Sequence, residues 1–184
     1  MPKRLFIAIN LPMELKRELF SIQKEINNQL PEEFAEVKLF KWVAMENLHL
    51  TLKFIGEAGD SQILKTVENI EKIIENQKPF EIKTEKICFD NGKQCPRLIW
   101  LTTEKSRELE NLSRALGSER NWQGHITLAR VKEWIFKRIE LEERPSIARD
   151  FEYKIPVKSV ELMESVLKRA GPEYIVLQSF PLVN

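Results

Sequence analysis

Histidine is nearly absent from this chain: 184 residues contain two, His49 and His125. Cysteine is equally scarce, with only Cys88 and Cys95. These thiols form no Cys-x-x-Cys pair, and two histidines cannot complete a zinc set with them, so no metal and no cofactor is expected. They read as two reduced, unrelated thiols, with a disulfide as the alternative. Long apolar runs are also missing. No stretch approaches the roughly 20 apolar residues that cross a bilayer. The run Leu5-Phe6-Ile7-Ala8-Ile9 is too short for a signal segment. A cytoplasmic protein that does not engage membranes is expected. An excess of charge is lacking as well, since Lys+Arg number 29 and Asp+Glu 28. This balance argues against a surface that grips nucleic acid by overall charge, so any RNA contact must come from a local site.

What is present suffices for a core, because 42% of the residues are apolar. Residues 5–9 read as a buried strand. Pro12 suits the first turn of a helix with Leu15, Leu19, Ile22 and Ile26 on one face, ended by Pro31. Residues 38–43 read as a short strand, and 48–55 as a strongly apolar strand stopped by Gly56. Asp60 or Ser61 then caps a helix whose inward face is Ile63, Val67, Ile70 and Ile74. Residues 80–89 read as a strand, followed by a turn at Asp90-Asn91-Gly92. A strand at 97–101 leads to a helix marked by Leu109, Leu112 and Leu116 and closed by Gly117. Residues 125–131 form another apolar strand. Residues 138–150 have no single reading, because Pro145 interrupts a helix there. Residues 157–167 and 174–180 read as a hairpin around Gly171-Pro172.

The order strand, helix, strand, helix, strand then begins again. Arg4-Leu5-Phe6-Ile7 precedes His49 much as Arg97-Leu98-Ile99-Trp100 precedes His125. The fold class expected is α+β, with two antiparallel sheets facing a central cleft and helices outside. The whole of 1–184 reads as one domain of two intertwined, pseudo-symmetric lobes.

Both histidines fall in one pattern, His49-Leu50-Thr51-Leu52 and His125-Ile126-Thr127-Leu128. Residues i and i+2 of a strand share a face. Each segment therefore buries two aliphatic side chains and presents an imidazole and a hydroxyl on the other side. Such a set suits phosphoryl chemistry. One imidazole can accept a proton from water while the other protonates a leaving oxygen, and two hydroxyls can donate to phosphate.

The segments Asn47-Leu48-His49-Leu50-Thr51-Leu52-Lys53-Phe54-Ile55-Gly56 and Gly124-His125-Ile126-Thr127-Leu128-Ala129-Arg130-Val131 resemble the two signatures of the 2H phosphoesterase superfamily. Within it the chain is similar to the RNA 2′,3′-cyclic phosphodiesterases, historically called 2′-5′ RNA ligases. Lys41-Trp42-Val43, Pro96-Arg97-Leu98-Ile99-Trp100 and Gly171-Pro172-x-Tyr174 add to the likeness. The resemblance implies a bilobal pseudo-symmetric fold and opening of a 2′,3′-cyclic phosphate to a 2′-phosphomonoester without a metal. It implies His49 as proton donor, His125 as proton acceptor, and Thr51 and Thr127 as phosphate ligands. The partner implied is RNA ending in a cyclic phosphate, tRNA fragments included, or a small cyclic nucleotide, bound by a monomer. The short stretch from Gly117 to Gly124 departs from the family, where a longer connection is common, which leaves substrate size open.

Four more residues are candidates for substrate binding. Strict alternation puts Lys53 on the cleft face, as a phosphate ligand or a solvated lysine. Arg130 should point away, into a structural salt bridge, unless a bulge re-aims it. Trp42 either stacks on a base or packs in the core, and Tyr174 lines the cleft mouth. Two other functions stay open: 2′-5′ joining of RNA halves, and a non-catalytic RNA-end binding module.

Overall fold

A computed structural model describes residues 2–90, 95–119, 122–169 and 171–183. The architecture is α+β. Strand β1 (Lys3–Asn10) leads through helix α1 (Met13–Asn28) and the short α2 (Glu32–Glu36) to β2 (Phe40–Trp42). The motif strand β3 (His49–Ala58), helix α3 (Asp60–Ile74) and β4 (Phe80–Phe89) follow. Strand β5 (Leu98–Thr103), α4 (Arg107–Ala115) and the second motif strand β6 (His125–Val131) repeat the theme. The chain ends with α5 (Glu133–Phe136), β7 (Ala148–Asp150), β8 (Lys154–Val157), β9 (Ser159–Lys168) and β10 (Gly171–Pro181). No helix among the described residues is long and apolar enough to cross a membrane.

The strands line up as β10-β9-β1-β3-β6-β5-β4-β7, with β2 beside β6 and β8 beside β4, every pair antiparallel. Two halves are evident. β10-β9-β1-β3 form one and β6-β5-β4-β7 the other, and they meet through a single residue pair, Leu50 with Ile126. The last strands of the sequence thus complete the sheet begun by the first. One continuous apolar cluster runs under both halves, and Leu50, Leu52, Ile126 and Leu128 are fully buried in it. Burying a leucine or isoleucine stabilises by about 1.5–3 kcal/mol, so these four residues press each motif strand onto the core.

The helices cross between halves. Gln23 on α1 is 2% exposed, and its amide nitrogen donates to the carbonyls of Val43 (3.1 Å) and Leu128 (2.9 Å). Arg149 on β7 pairs with Glu25 of the same helix at 2.7 Å. On the other side, Ser118, just past α4, donates to the carbonyl of Leu52. Leu52 and Leu128 occupy the same place in their motifs, so each motif strand is held at its fourth residue by a side chain from the other half's connection.

Both of those leucines are bulges. Ile7 faces Lys53 and Ala8 faces Thr51, leaving Leu52 as an extra residue in β3. Ile99 faces Ala129 and Trp100 faces Thr127, leaving Leu128 extra in β6. A bulge shifts the inside–outside phase by one residue.

Several local expectations change. Gly56 does not end β3. It adopts φ +87° beside a second irregularity at Ile55, and the strand continues to Ala58. Helix α3 has Gly59 at its N-cap, with no side-chain cap from Asp60 or Ser61, because the helix already begins at Asp60. Residues 138–150 hold a 3-10 turn at Leu141–Glu143 and the edge strand β7. Val157 ends β8, which pairs with the start of β4, so the terminal hairpin begins at Ser159. Neither α5 nor β8 carries a periodicity long enough to read. Cys88 and Cys95 are free thiols. Of the turn at Asp90-Asn91-Gly92, Asn91 and Gly92 lie outside the described residues.

Gly124 sets the entry to β6. A Cβ there would stand 2.6 Å from Thr103 Oγ1 and 3.0 Å from Leu109 Cδ2. Gly124→Ala is therefore expected to cost about 1–3 kcal/mol, as overpacking does. An unchanged urea midpoint would refute this.

Candidate active site

The Leu50–Ile126 pair fixes what surrounds it. Antiparallel register sets His49 opposite Thr127 and Thr51 opposite His125 on the face away from the core. All four are half-buried, while the aliphatic residues between them are buried. Residues 76 apart in sequence thus share one small patch.

Each imidazole is oriented in the same way. His49 Nδ1 donates to the carbonyl of Asn47 at 2.7 Å, and His125 Nδ1 to that of Gln123 at 2.9 Å. A carbonyl can only accept, so Nδ1 carries the hydrogen and Nε2 of each neutral ring is left with its lone pair. Nε2 of His49 lies 2.8 Å from Thr51 Oγ1, which donates to it in this tautomer. Aromatic rings hold the imidazoles from the neighbouring strands. Phe6 on β1 sits 5.0 Å from the His49 ring, and Trp100 on β5 sits 4.7 Å from the His125 ring. By register Trp100, opposite Thr127, matches Ala8, opposite Thr51, so the two rings reach their imidazoles from different places in the two halves. Tyr174 adds an edge-on contact to His49 at 5.1 Å.

Burial makes both rings poor proton acceptors. It lowers the pKa of His49 from 6.5 to about 4, with smaller lowering by the Lys16 ammonium and His125 and an opposing effect of the Asn47 carbonyl. His125 is also lowered by burial, opposed by the Gln123 carbonyl and the Asp90 carboxylate. Lys16 itself, on α1, is 6% exposed, donates to the Glu46 carbonyl at 2.9 Å and is held below the usual lysine range by desolvation. No sequence signal singles it out, because it reads as one more charged residue beside Glu14, Arg17 and Glu18.

The bulges redistribute the remaining candidates. Lys53 shares the face of its partner Ile7, on the helix side of the sheet, and donates to the Gly117 carbonyl. Its expected place on the cleft face is corrected by the extra residue at Leu52. Phe54 takes that place instead, 72% exposed, with its ring 6.3 Å from Phe6. In β6 the bulge at Leu128 turns Ala129 inward and brings the exposed Arg130 to the face of His125 and Thr127. Arg130 joins none of the ion pairs found among the described residues. Trp42 pairs with Ala129 on the core side, bonds Asn27 Oδ1 through its indole N–H at 3.0 Å and packs edge-on to Phe40. The stacking role considered for Trp42 is therefore corrected to core packing.

A family model described as LigT-like phosphoesterase matches residues 9–100, half of the chain and including the first motif. An RNA 2′,3′-cyclic phosphodiesterase of Methanothermobacter thermautotrophicus is 31% identical, the alignment spanning 99% of this chain and 100% of that one. The chain belongs to the LigT-like phosphoesterase family. A second relative, an RNA 2′,3′-cyclic phosphodiesterase of Methanocaldococcus jannaschii, is 30% identical over 96% of this phosphoesterase and 99% of its own length. The crystal structure of E. coli LigT complexed with ATP superposes with a TM-score of 0.76 at 25% identity, covering 100% and 99% of the two chains. These alignments extend past the family model across β6, so the likeness includes the second motif strand.

The depressed histidine has a consequence for stability. In the unfolded chain His49 titrates near 6.5, whereas in the folded phosphoesterase it does so at about 4. The unfolded state therefore binds the proton first as pH falls. Stability is at its plateau above about 6.5 and drops towards about 4, by at most about 1.4 kcal/mol per pH unit. Replacing His49 with Asn is expected to flatten that window relative to the parent, read from urea unfolding at about pH 4.5 and about pH 7. Parallel curves for the two proteins would contradict the assignment.

Proposed function

We propose that this phosphoesterase opens RNA 2′,3′-cyclic phosphate ends to 2′-phosphomonoesters by proton transfer between two histidines, without a metal. One observation carries the reading: two imidazoles, each pinned at Nδ1 by a carbonyl two residues back, leave both Nε2 atoms to one face with two threonine hydroxyls. In this mechanism His125 Nε2 takes a proton from water as its oxygen bonds to phosphorus. The bond to the ribose 3′ oxygen breaks, and protonated His49 gives its Nε2 proton to that oxygen. Thr51 and Thr127 donate to the non-bridging oxygens, whose charge builds in the transition state. The two relatives' names support the substrate class. Arg130 offers a positive charge for a phosphate of the RNA chain, and Phe54 an exposed ring for a base. Among the described residues no cluster of three His, Cys, Asp or Glu could hold a metal. The chain acts in this reading as one domain of two intertwined lobes, each contributing half of the site.

Turnover of an oligoribonucleotide ending in a 2′,3′-cyclic phosphate is the deciding assay, run in EDTA with a 5′-hydroxyl RNA present so that any joined product is seen. Full activity and a 2′-phosphate product are expected. Dependence on an added metal would overturn the mechanism. His49→Ala and His125→Ala should each lose about 10²–10⁴-fold, and the double variant less than the product of the two losses. Thr51→Val and Thr127→Val should lose less. Since burial weakens proton binding by both rings, kcat/KM should be bell-shaped with its optimum below about pH 6.5. An optimum above neutrality would show that these histidines do not share the proton transfers.

A further inference from the structure

Asn47 contacts two different parts of the site. Its backbone carbonyl accepts from His49 Nδ1, while its side-chain nitrogen donates to the Pro172 carbonyl at 2.7 Å. The residue is 8% exposed. Pro172 belongs to the terminal hairpin. β9 pairs with β1 only where Glu161–Glu164 meet Ala8–Leu5. Beyond that point, among the described residues, Ser165–Lys168 pair only with Gly171–Tyr174, so this end of the hairpin is an arm with no further described strand beside it. A two-stranded ribbon is marginally stable by itself in water. The Lys168–Glu173 ion pair ties its strands to each other and does nothing to attach the arm. Two side chains do attach it. One is Asn47, through Pro172. The other is Tyr174, whose ring stands edge-on to His49 (88°) and to Phe6 at 5.0 Å (71°).

We propose that Asn47 is a positioning residue: it latches the β9–β10 arm across His49, and the latched Tyr174 forms the wall against which the substrate's terminal nucleoside is held. The second clause rests on the phosphodiesterase reading above; the first does not. With the latch closed, Tyr174 and Phe6 leave the His49 ring one orientation, and Tyr174 keeps water from its edge. The ionisable groups facing that ring are Lys16 from α1, His125 from β6 and Tyr174 from β10. Freeing the arm removes only the last of these, so a change in His49 titration would report the cover and not the neighbouring charges.

The test uses Asn47→Ala, Tyr174→Leu and the double variant of the full chain. With two histidines in the protein, NMR resolves both imidazole titrations, and His125→Asn assigns them. In each single variant the His49 midpoint should rise by about one pH unit towards the ordinary value, with His125 unmoved. On the cyclic-phosphate oligonucleotide each single variant should lose about tenfold in kcat/KM, mostly through KM. The double variant should lose no more than the worse single one, because both act through the arm. Losses that multiply, or an unmoved His49 midpoint, would overturn the latch. If Asn47→Ala does not fold, Asn47→Leu keeps the volume, removes the donor without adding a charge, and is judged by the same two measurements. If the parent protein itself turns over no substrate, the phosphodiesterase reading fails while the titrations still decide the latch.

Discussion

Leu50 and Ile126 meet as one backbone pair, and the site exists because they do. Each sheet half could fold its own motif strand onto the core by burying aliphatic side chains. Neither half alone would set an imidazole opposite a hydroxyl from elsewhere in the chain. One pair is enough, since antiparallel register carries its neighbours into place, His49 across from Thr127 and Thr51 across from His125. The β3–β6 ladder holds no second pair among the described residues.

Such a narrow seam needs support from outside itself. Gln23 reaches from α1 to the Leu128 carbonyl, and Ser118 reaches from behind α4 to the Leu52 carbonyl. Both carbonyls belong to bulged residues, and that of Leu128 also accepts the Val43 N–H at 2.8 Å, so Gln23 adds a second bond there. The same bulges bring Phe54 and Arg130 to the outer face. The two half-sites therefore share a mechanism of orientation but differ in what lies beside it, an aromatic ring in one and a guanidinium in the other. That asymmetry suits a nucleotide, which has a flat base at one end and charged phosphates at the other.

The electrostatics follow from the same packing. Rings that must be held rigidly are covered by Phe6, Tyr174 and Trp100, and covering an imidazole makes it harder to protonate. Lys16, buried beneath the first motif, adds to this at His49, while Asp90 opposes it at His125. A bound phosphate would reverse the balance by favouring protonation of whichever ring it approaches.

The sequence alone determined the parts that depend on local chemistry. Alternation of aliphatic with polar residues marked β3 and β6 as half-buried strands, and the paired His-x-Thr segments marked the reactive groups, because side-chain period and proton chemistry are properties of a few consecutive residues. The long helices and the terminal hairpin were legible for the same reason. What only the tertiary structure decided is where the phase changes and what meets across the fold. Leu52 and Leu128 carry no signature of a bulge, since neither is glycine and both are simply buried. Lys53 and Arg130 therefore exchange the faces that alternation assigns them. Lys16 and Tyr174 meet His49 from positions 33 residues before and 125 after it. Contacts of that span are set by how the strands and helices pack, which no local pattern encodes.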